Sequence, residues 1–116
     1  MKKYNISISP SANDRMYDHF LFLAQVNENA AHKLLDQLIN DIQSLEYTPE
    51  INPHLDRPYL ENRKYRYKLS HRRYRIVYQI NNDNVLVEDI QDCRQNDDKS
   101  LLYDEKKLII DSRRQS

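Results

Sequence analysis

The chain of 116 residues contains no glycine and a single cysteine, Cys93. Without glycine no glycine-rich loop can cradle a phosphate, and asparagine or aspartate is expected at any position that needs positive φ. One cysteine excludes a disulfide within the chain, and nothing indicates an oxidising compartment. We expect Cys93 to be a small buried side chain rather than a nucleophile, because no base partner is evident.

Long apolar runs are also missing from the sequence. No stretch reaches the roughly 20 apolar residues of a membrane span, so no membrane contact is expected. Two lysines follow the first methionine with no apolar run behind them, which argues against a secretory signal and makes the cytoplasm the expected location. The four histidines are scattered without paired ligand spacing, so neither a metal nor another cofactor is expected.

Acidic and basic residues are segregated along the chain, although its formal net charge is zero. Residues 57–75 hold eight basic residues and one acidic residue. Residues 11–50 hold seven acidic and two basic residues, and residues 76–98 hold six acidic and one basic. This distribution is typical of a local anion-binding patch on an otherwise acidic body.

The first half of the chain predicts a strand followed by two helices. Alternating apolar and polar residues indicate a strand over 3–9. Helical spacing of apolar residues predicts one helix over 12–25, capped by Ser11, and a second over about 31–47, capped by Asn29. The short break between the two helices predicts an antiparallel hairpin.

The second half predicts a loop and three strands. Three prolines between residues 48 and 60 exclude a helix or a central strand there. The predicted strands are 63–69, 74–80 and 85–91, joined by turns at 70–73 and 81–84. The expected fold class is therefore α+β, with helices on one face of an antiparallel sheet. One domain is expected over 1–96, and 97–116 is expected to form an extension with a short helix, capped by Asp98, and a frayed tail.

The first strand of the predicted meander alternates aromatic and basic residues. One face carries Tyr65, Tyr67 and Leu69, and the other carries Lys64, Arg66 and Lys68. We expect the tyrosines to pack beneath the helices and the cations to project into solvent, where Arg75 of the next strand joins them. Side chains two residues apart lie roughly 7 Å from each other, close to the repeat of a phosphodiester chain. The alternative is a solvated strand face that only keeps the protein soluble.

Four segments form an ordered set: Tyr65–Leu69, Tyr74–Ile80, Val85–Ile90 and Asp92–Arg94. This set resembles the sheet of the RelE/ParE toxin superfamily, and the element order agrees over about residues 3–94. The resemblance implies a toxin of a bacterial type II toxin–antitoxin system, with a cognate antitoxin protein as its partner. For RelE-type members it implies ribosome-dependent cleavage of messenger RNA, so that the ribosome and mRNA become further partners.

The resemblance to RelE-type members also assigns roles to individual residues. The catalytic positions it implies are Lys68, Arg75, Arg94 and Tyr103. The residues expected to bind RNA phosphates are Lys64, Arg66, His71, Arg72 and Arg73. A guanidinium stabilises charge on a phosphorane, and like charges around Lys68 are expected to lower its pKa so that it acts as general base.

Several alternatives remain open from the sequence. His71 is either an exposed turn residue or a phosphate ligand, and Arg94 is either catalytic or paired with Asp92 or Asp89. ParE-type members of the superfamily lack the nuclease residues and poison DNA gyrase. We expect an mRNA endonuclease, with a gyrase inhibitor lacking catalytic activity as the alternative and an inactive antitoxin-binding remnant as the third.

Overall fold

The computed structural model describes residues 2–94. Its elements are β1 (Asn5–Ile8), α1 (Pro10–Ala24), α2 (Glu28–Ser44), a 3-10 turn (Pro49–Ile51), β2 (Arg66–Ser70), β3 (Tyr74–Asn81) and β4 (Asn84–Asp92). The strand, helical hairpin and three-strand meander appear in the predicted order, so the α+β fold class is confirmed. The predicted terminal helix and Tyr103 lie outside the described residues, and the division at 96–97 stays a prediction.

The sheet is mixed rather than purely antiparallel. Its strand order is β1-β4-β3-β2, with β3 antiparallel to both β2 and β4. β1 pairs with β4 in parallel, from Asn5 opposite Asn84 to Ile8 opposite Val87. The antiparallel sheet predicted from the sequence therefore requires this correction. The long connection from β1 to β4, through the helical hairpin, β2 and β3, allows the two strands to run in the same direction.

Both helix caps lie two residues earlier than predicted, at Ser9 and Asn27. The Oγ of Ser9 accepts the backbone N–H of Ala12 at 3.0 Å, and Pro10 occupies the first turn of α1. Asn27 caps α2 by accepting the N–H of Ala30 at 2.9 Å. The predictions of Ser11 and Asn29 as caps are wrong. A proline suits the first helical turn, because its missing N–H has no partner there and its φ is already helical.

The main core lies between the helices and one face of the sheet. Leu34, Leu38 and Ile42 recur every four residues on the buried side of α2. The sheet contributes Tyr74, Ile76, Tyr78, Val85, Val87 and Ile90 to the same cluster. No helix within residues 2–94 is long and apolar enough to cross a membrane.

A second, smaller core covers part of the opposite sheet face. The proline-containing segment before β2 folds back so that Leu55 and Leu60 pack with Tyr65 and Val77. Tyr67 lies against the same cluster. This segment is therefore a structural layer, and it gives β2 an apolar partner on the side away from the helices.

Positive φ is not confined to asparagine and aspartate. Asn82 has φ 54°, as expected for a turn in a chain without glycine. Arg63, His71 and Arg72 also have positive φ, at 59°, 53° and 57°. The prediction that only asparagine and aspartate would take these positions is wrong, and three long side chains occupy a region that disfavours a Cβ atom.

The buried hydroxyl of Tyr78 makes stability sensitive to alkaline pH. It donates to the Pro49 carbonyl at 2.6 Å and accepts from Asn52 Nδ2 at 3.0 Å. Burial raises the pKa of Tyr78 above its ordinary value of 10.0, although the Asn52 hydrogen bond and the Arg66 charge oppose this. A raised folded-state pKa stabilises the protein fully below the unfolded pKa, and this contribution is lost as pH rises toward the folded value.

We therefore expect wild-type unfolding free energy to fall more steeply above about pH 10 than that of Tyr78→Phe. Urea denaturation at each pH measures the two slopes. At neutral pH the unfolding free energy of Tyr78→Phe is expected to be lower than that of the wild type, because the variant leaves the Pro49 carbonyl without its hydrogen-bond donor. Parallel slopes for the two proteins would contradict this assignment.

Candidate functional site

The pairing of β2 with β3 decides where the predicted basic residues point. Arg66 lies opposite Tyr78, and Lys68 lies opposite Ile76. Directly paired residues share a sheet face, and Tyr78 and Ile76 belong to the core beneath the helices. Arg66 and Lys68 therefore face the helical layer. The prediction that they project into solvent opposite the helices is wrong.

Lys68 is held by the end of α2. Its Nζ donates to Ser44 Oγ at 2.5 Å and lies 3.9 Å from Asp41 Oδ1. The neighbouring Arg66 donates through Nη1 to the carbonyls of Glu50 and Asn52, at 3.0 and 2.7 Å. Both cations thus tie β2 to segments of the chain that border the helical layer. The prediction that the tyrosines of this strand pack beneath the helices is also wrong, because Tyr65 and Tyr67 pack on the other face.

Arg75 lies on the face opposite Lys68. It pairs with Leu69 and Gln91 across the sheet and donates through Nε to Gln91 Oε1 at 3.2 Å. Lys64 lies before β2, where its Nζ sits 3.9 Å from Glu61 and over the Tyr65 ring. The common cationic face expected from Lys64, Arg66, Lys68 and Arg75 is therefore not formed. Arg66 and Lys68 lie on one face of the sheet and Arg75 lies on the other, so the three side chains cannot contact the same phosphate.

Asp92, at the end of β4, organises a second group of cations. The carboxylate is almost fully buried, with 2% of its side chain exposed. Arg73 contacts it through Nη2 at 3.0 Å, and Arg94 contacts it through Nε at 3.5 Å and the backbone N–H at 2.9 Å. Of the two alternatives for Arg94, the pairing with Asp92 is present in the structure. Two guanidiniums share this single carboxylate.

A cleft of about 250 Å³ opens between α1 and the Asp92 cluster. His19 Nε2 lies 2.7 Å from the Ile90 carbonyl, and its ring packs on Tyr74 with centroids 4.9 Å apart. Burial raises the pKa of Tyr74, opposed by the charge of Arg73. Sequence reasoning overlooked His19 and Arg15 in this cleft, although their spacing of four residues on a helix was visible.

The turn between β2 and β3 exposes the last two predicted phosphate ligands. Residues 71–73 connect the two strands, with His71 and Arg72 at the centre of a tight turn closed by the Arg73 N–H donating to the Ser70 carbonyl at 3.2 Å. Both side chains are exposed. Cys93 is exposed as well, so the prediction that it would be buried is wrong.

The predicted site residues thus occupy separate settings. Within residues 2–94, Lys68 and Arg66 lie at the helical layer, Arg75 on the outer face, and Arg73 and Arg94 at Asp92. No group of three or more metal-ligand side chains occurs in this described range. The arrangement offers charged contacts to a partner at the sheet end, and the catalytic roles assigned by resemblance stay predictions.

Comparison with known proteins identifies the family. The family model described as the ParE toxin of the type II toxin–antitoxin system, parDE, matches residues 6–97. The fold is similar to a solved structure from P. aeruginosa described as a chromosomal ParDE TA system, with a TM-score of 0.65 and 11% identity. That match covers 78% of this chain and 96% of the other. No curated protein matches the chain. Because the family model spans most of the sequence, the chain belongs to the ParE toxin family, within the RelE/ParE superfamily of type II toxins.

Proposed function

We propose that this toxin arrests growth by binding and poisoning DNA gyrase, without a chemical step of its own. Its membership of the ParE family, rather than of a RelE-type family, supports this choice over the mRNA endonuclease. As a toxin of a type II system, it has a cognate antitoxin as its partner. The ribosome and mRNA are not required by this proposal.

The observation that carries the proposal is the separation of Lys68 from Arg75. A ribonuclease that uses a lysine base and an arginine to stabilise the phosphorane needs both groups within hydrogen-bond reach of one phosphate. Here the two side chains lie on opposite faces of the sheet, because Lys68 pairs with Ile76 and Arg75 pairs with Leu69. Lys68 is also engaged by Asp41 and Ser44. These contacts within the fold hold Lys68 away from a substrate phosphate and support a function without a chemical step.

Induction of the wild type and of Lys68→Gln and Arg75→Gln tests the proposal in cells. We expect all three to arrest growth, with intact transcripts by primer extension and with accumulated gyrase–DNA complexes. Both substitutions keep a hydrogen-bonding side chain that can reach the same neighbours, Ser44 for Lys68 and Gln91 for Arg75. Circular dichroism of each purified variant checks that it folds.

Two results would overturn the proposal. Cleaved transcripts that disappear with Lys68→Gln would establish the endonuclease and make Lys68 its base. A wild type that binds antitoxin but leaves growth unchanged would indicate an inactive remnant. Purified toxin added to gyrase in a supercoiling assay separates a direct effect on the enzyme from a secondary response of the cell.

A further inference from the structure

The β2–β3 turn is strained at both of its central residues. His71 and Arg72 have φ of 53° and 57°, and the turn closes through the Arg73 N–H and the Ser70 carbonyl. Two consecutive positive φ values define the type I′ turn, in which Asn-Gly is strongly preferred. A histidine and an arginine carry Cβ atoms that this geometry disfavours. The turn thus keeps two long side chains where shorter residues fit better.

Contacts inside the described part of the chain do not offset this strain. His71 and Arg72 are exposed, and neither makes a hydrogen bond or ion pair with residues 2–94. The turn is nevertheless firmly held at its base. Tyr74 is buried directly after it, and the Cys93 N–H donates to the Arg73 carbonyl at 2.6 Å. Strain that persists on a firmly held element is characteristic of functional sites.

The surroundings of the turn are cationic. In the connection between β2 and β3, Arg72 is followed directly by Arg73, and no aspartate or glutamate lies between Ser70 and Tyr74. At the base of the turn, Arg73 and Arg94 share the single carboxylate of Asp92. The charge of Arg72 thus lies next to two guanidiniums that contact the same carboxylate, and the chemistry that fits this tip is anionic.

We propose that the tip of the β2–β3 hairpin, His71 and Arg72, is the contact through which this toxin binds an acidic surface of the gyrase protein. The inference rests on the proposed function and names the part of the toxin that makes the contact. The backbone of the turn is held at its base, so binding orders only the side chains at the tip, and a single arginine can dominate a protein interface.

A protein surface fits the tip better than a nucleic acid does. Binding along a phosphate backbone needs a row of several cations, and the chain has a formal net charge of zero. The row expected on β2 is not formed, because Arg66 and Lys68 are turned to the helical layer and engaged there. What remains at the tip is one arginine without a partner among residues 2–94, beside the two that share Asp92.

Arg63 provides a matched control for Arg72. It is also exposed, has φ 59°, and makes no hydrogen bond or ion pair with the described residues. It lies before β2, at the end of that strand away from the turn. Arg63→Gly and Arg72→Gly therefore remove the same charge and relieve the same kind of backbone strain, at opposite ends of the sheet.

The experiment measures binding of each full-length toxin, purified without antitoxin, to gyrase in the absence of DNA. We expect Arg72→Gly to raise the dissociation constant about 30-fold, and Arg63→Gly to change it by less than about twofold. Both glycine variants are expected to unfold at a temperature equal to or above that of the wild type, since glycine relieves the strain. His71→Asn, which suits the turn, is expected to stabilise the fold and to weaken binding less than Arg72→Gly.

The outcomes separate the inference from the proposed function. If the wild type does not bind gyrase, the proposed function fails. If it binds and Arg72→Gly binds equally well, only the assignment of the tip is overturned. Loss of duplex DNA binding alone, with gyrase binding intact, would assign the tip to nucleic acid and overturn the inference. Loss of antitoxin binding alone would overturn it in favour of the antitoxin.

Discussion

Asp92→Asn is expected to lower the free energy of unfolding by about 3 kcal/mol. The substitution keeps the size of the side chain and an oxygen that can accept the Arg94 N–H. It removes the charge that holds Arg73, whose side chain is 23% exposed, and leaves that guanidinium in a partly dehydrated setting without a counter-ion. Breaking such a pair costs more than its net contribution to stability, because one charge is left uncompensated. Urea denaturation at neutral pH measures the loss.

Arg94→Ala is the control for this prediction. The Arg94 side chain contacts the same carboxylate but is 61% exposed, so its loss is expected to cost less than about 1 kcal/mol. The backbone N–H of residue 94 still donates to Asp92 in the variant. Equal losses for Asp92→Asn and Arg94→Ala would contradict the view that Arg73 is the partner that anchors the carboxylate.

Leu38→Ala is expected to destabilise the protein by about 3 kcal/mol. Leu38 is fully buried on α2 and belongs to the core cluster between the helices and the sheet. The truncation removes apolar area from the core and leaves a cavity that the surrounding strands cannot fully close. Thermal unfolding and urea denaturation both report the change.

Ile39→Ala is a control one residue further along the same helix. Ile39 is 37% exposed, so the same type of truncation removes far less buried area and is expected to cost less than about 1 kcal/mol. Because both changes introduce alanine into one helix, helix propensity differs little between them. Similar losses at the two positions would mean that α2 does not pack in the orientation described.

The helix caps show how far local sequence signals can locate the start of a helix. Two residues with capping side chains lie near the start of each helix: Ser9 and Ser11 at α1, and Asn27 and Asn29 at α2. Each pair contains two residues with suitable side chains, and propensity does not separate them. The choice depends on where the chain leaves β1 and where the first helix ends, which involves contacts such as Ser9 Oγ with the Glu88 carbonyl. Those contacts join distant parts of the chain.

The sequence showed that basic residues are concentrated in one segment, but it did not show which side chains lie next to one another. Residues in the basic segment were correctly recognised as an unusual concentration of charge, and the Arg94–Asp92 pair was one of two alternatives. The cleft beside α1 was not anticipated, because His19 and Arg15 are far in sequence from Asp92. Which carboxylate neutralises which cation follows from packing, and packing partners were not visible in the local pattern.

By itself, the sequence determined the order and type of the elements, the α+β class and the likeness to one toxin superfamily, because these follow from local periodicity and from ordered motifs. Only the tertiary structure decided which face of β2 meets the helices. A strand of period two presents two faces, and either can be buried if an apolar layer exists to cover it. Leu55 and Leu60 supply such a layer on the outer face, so the tyrosines pack there and Lys68 turns to Asp41.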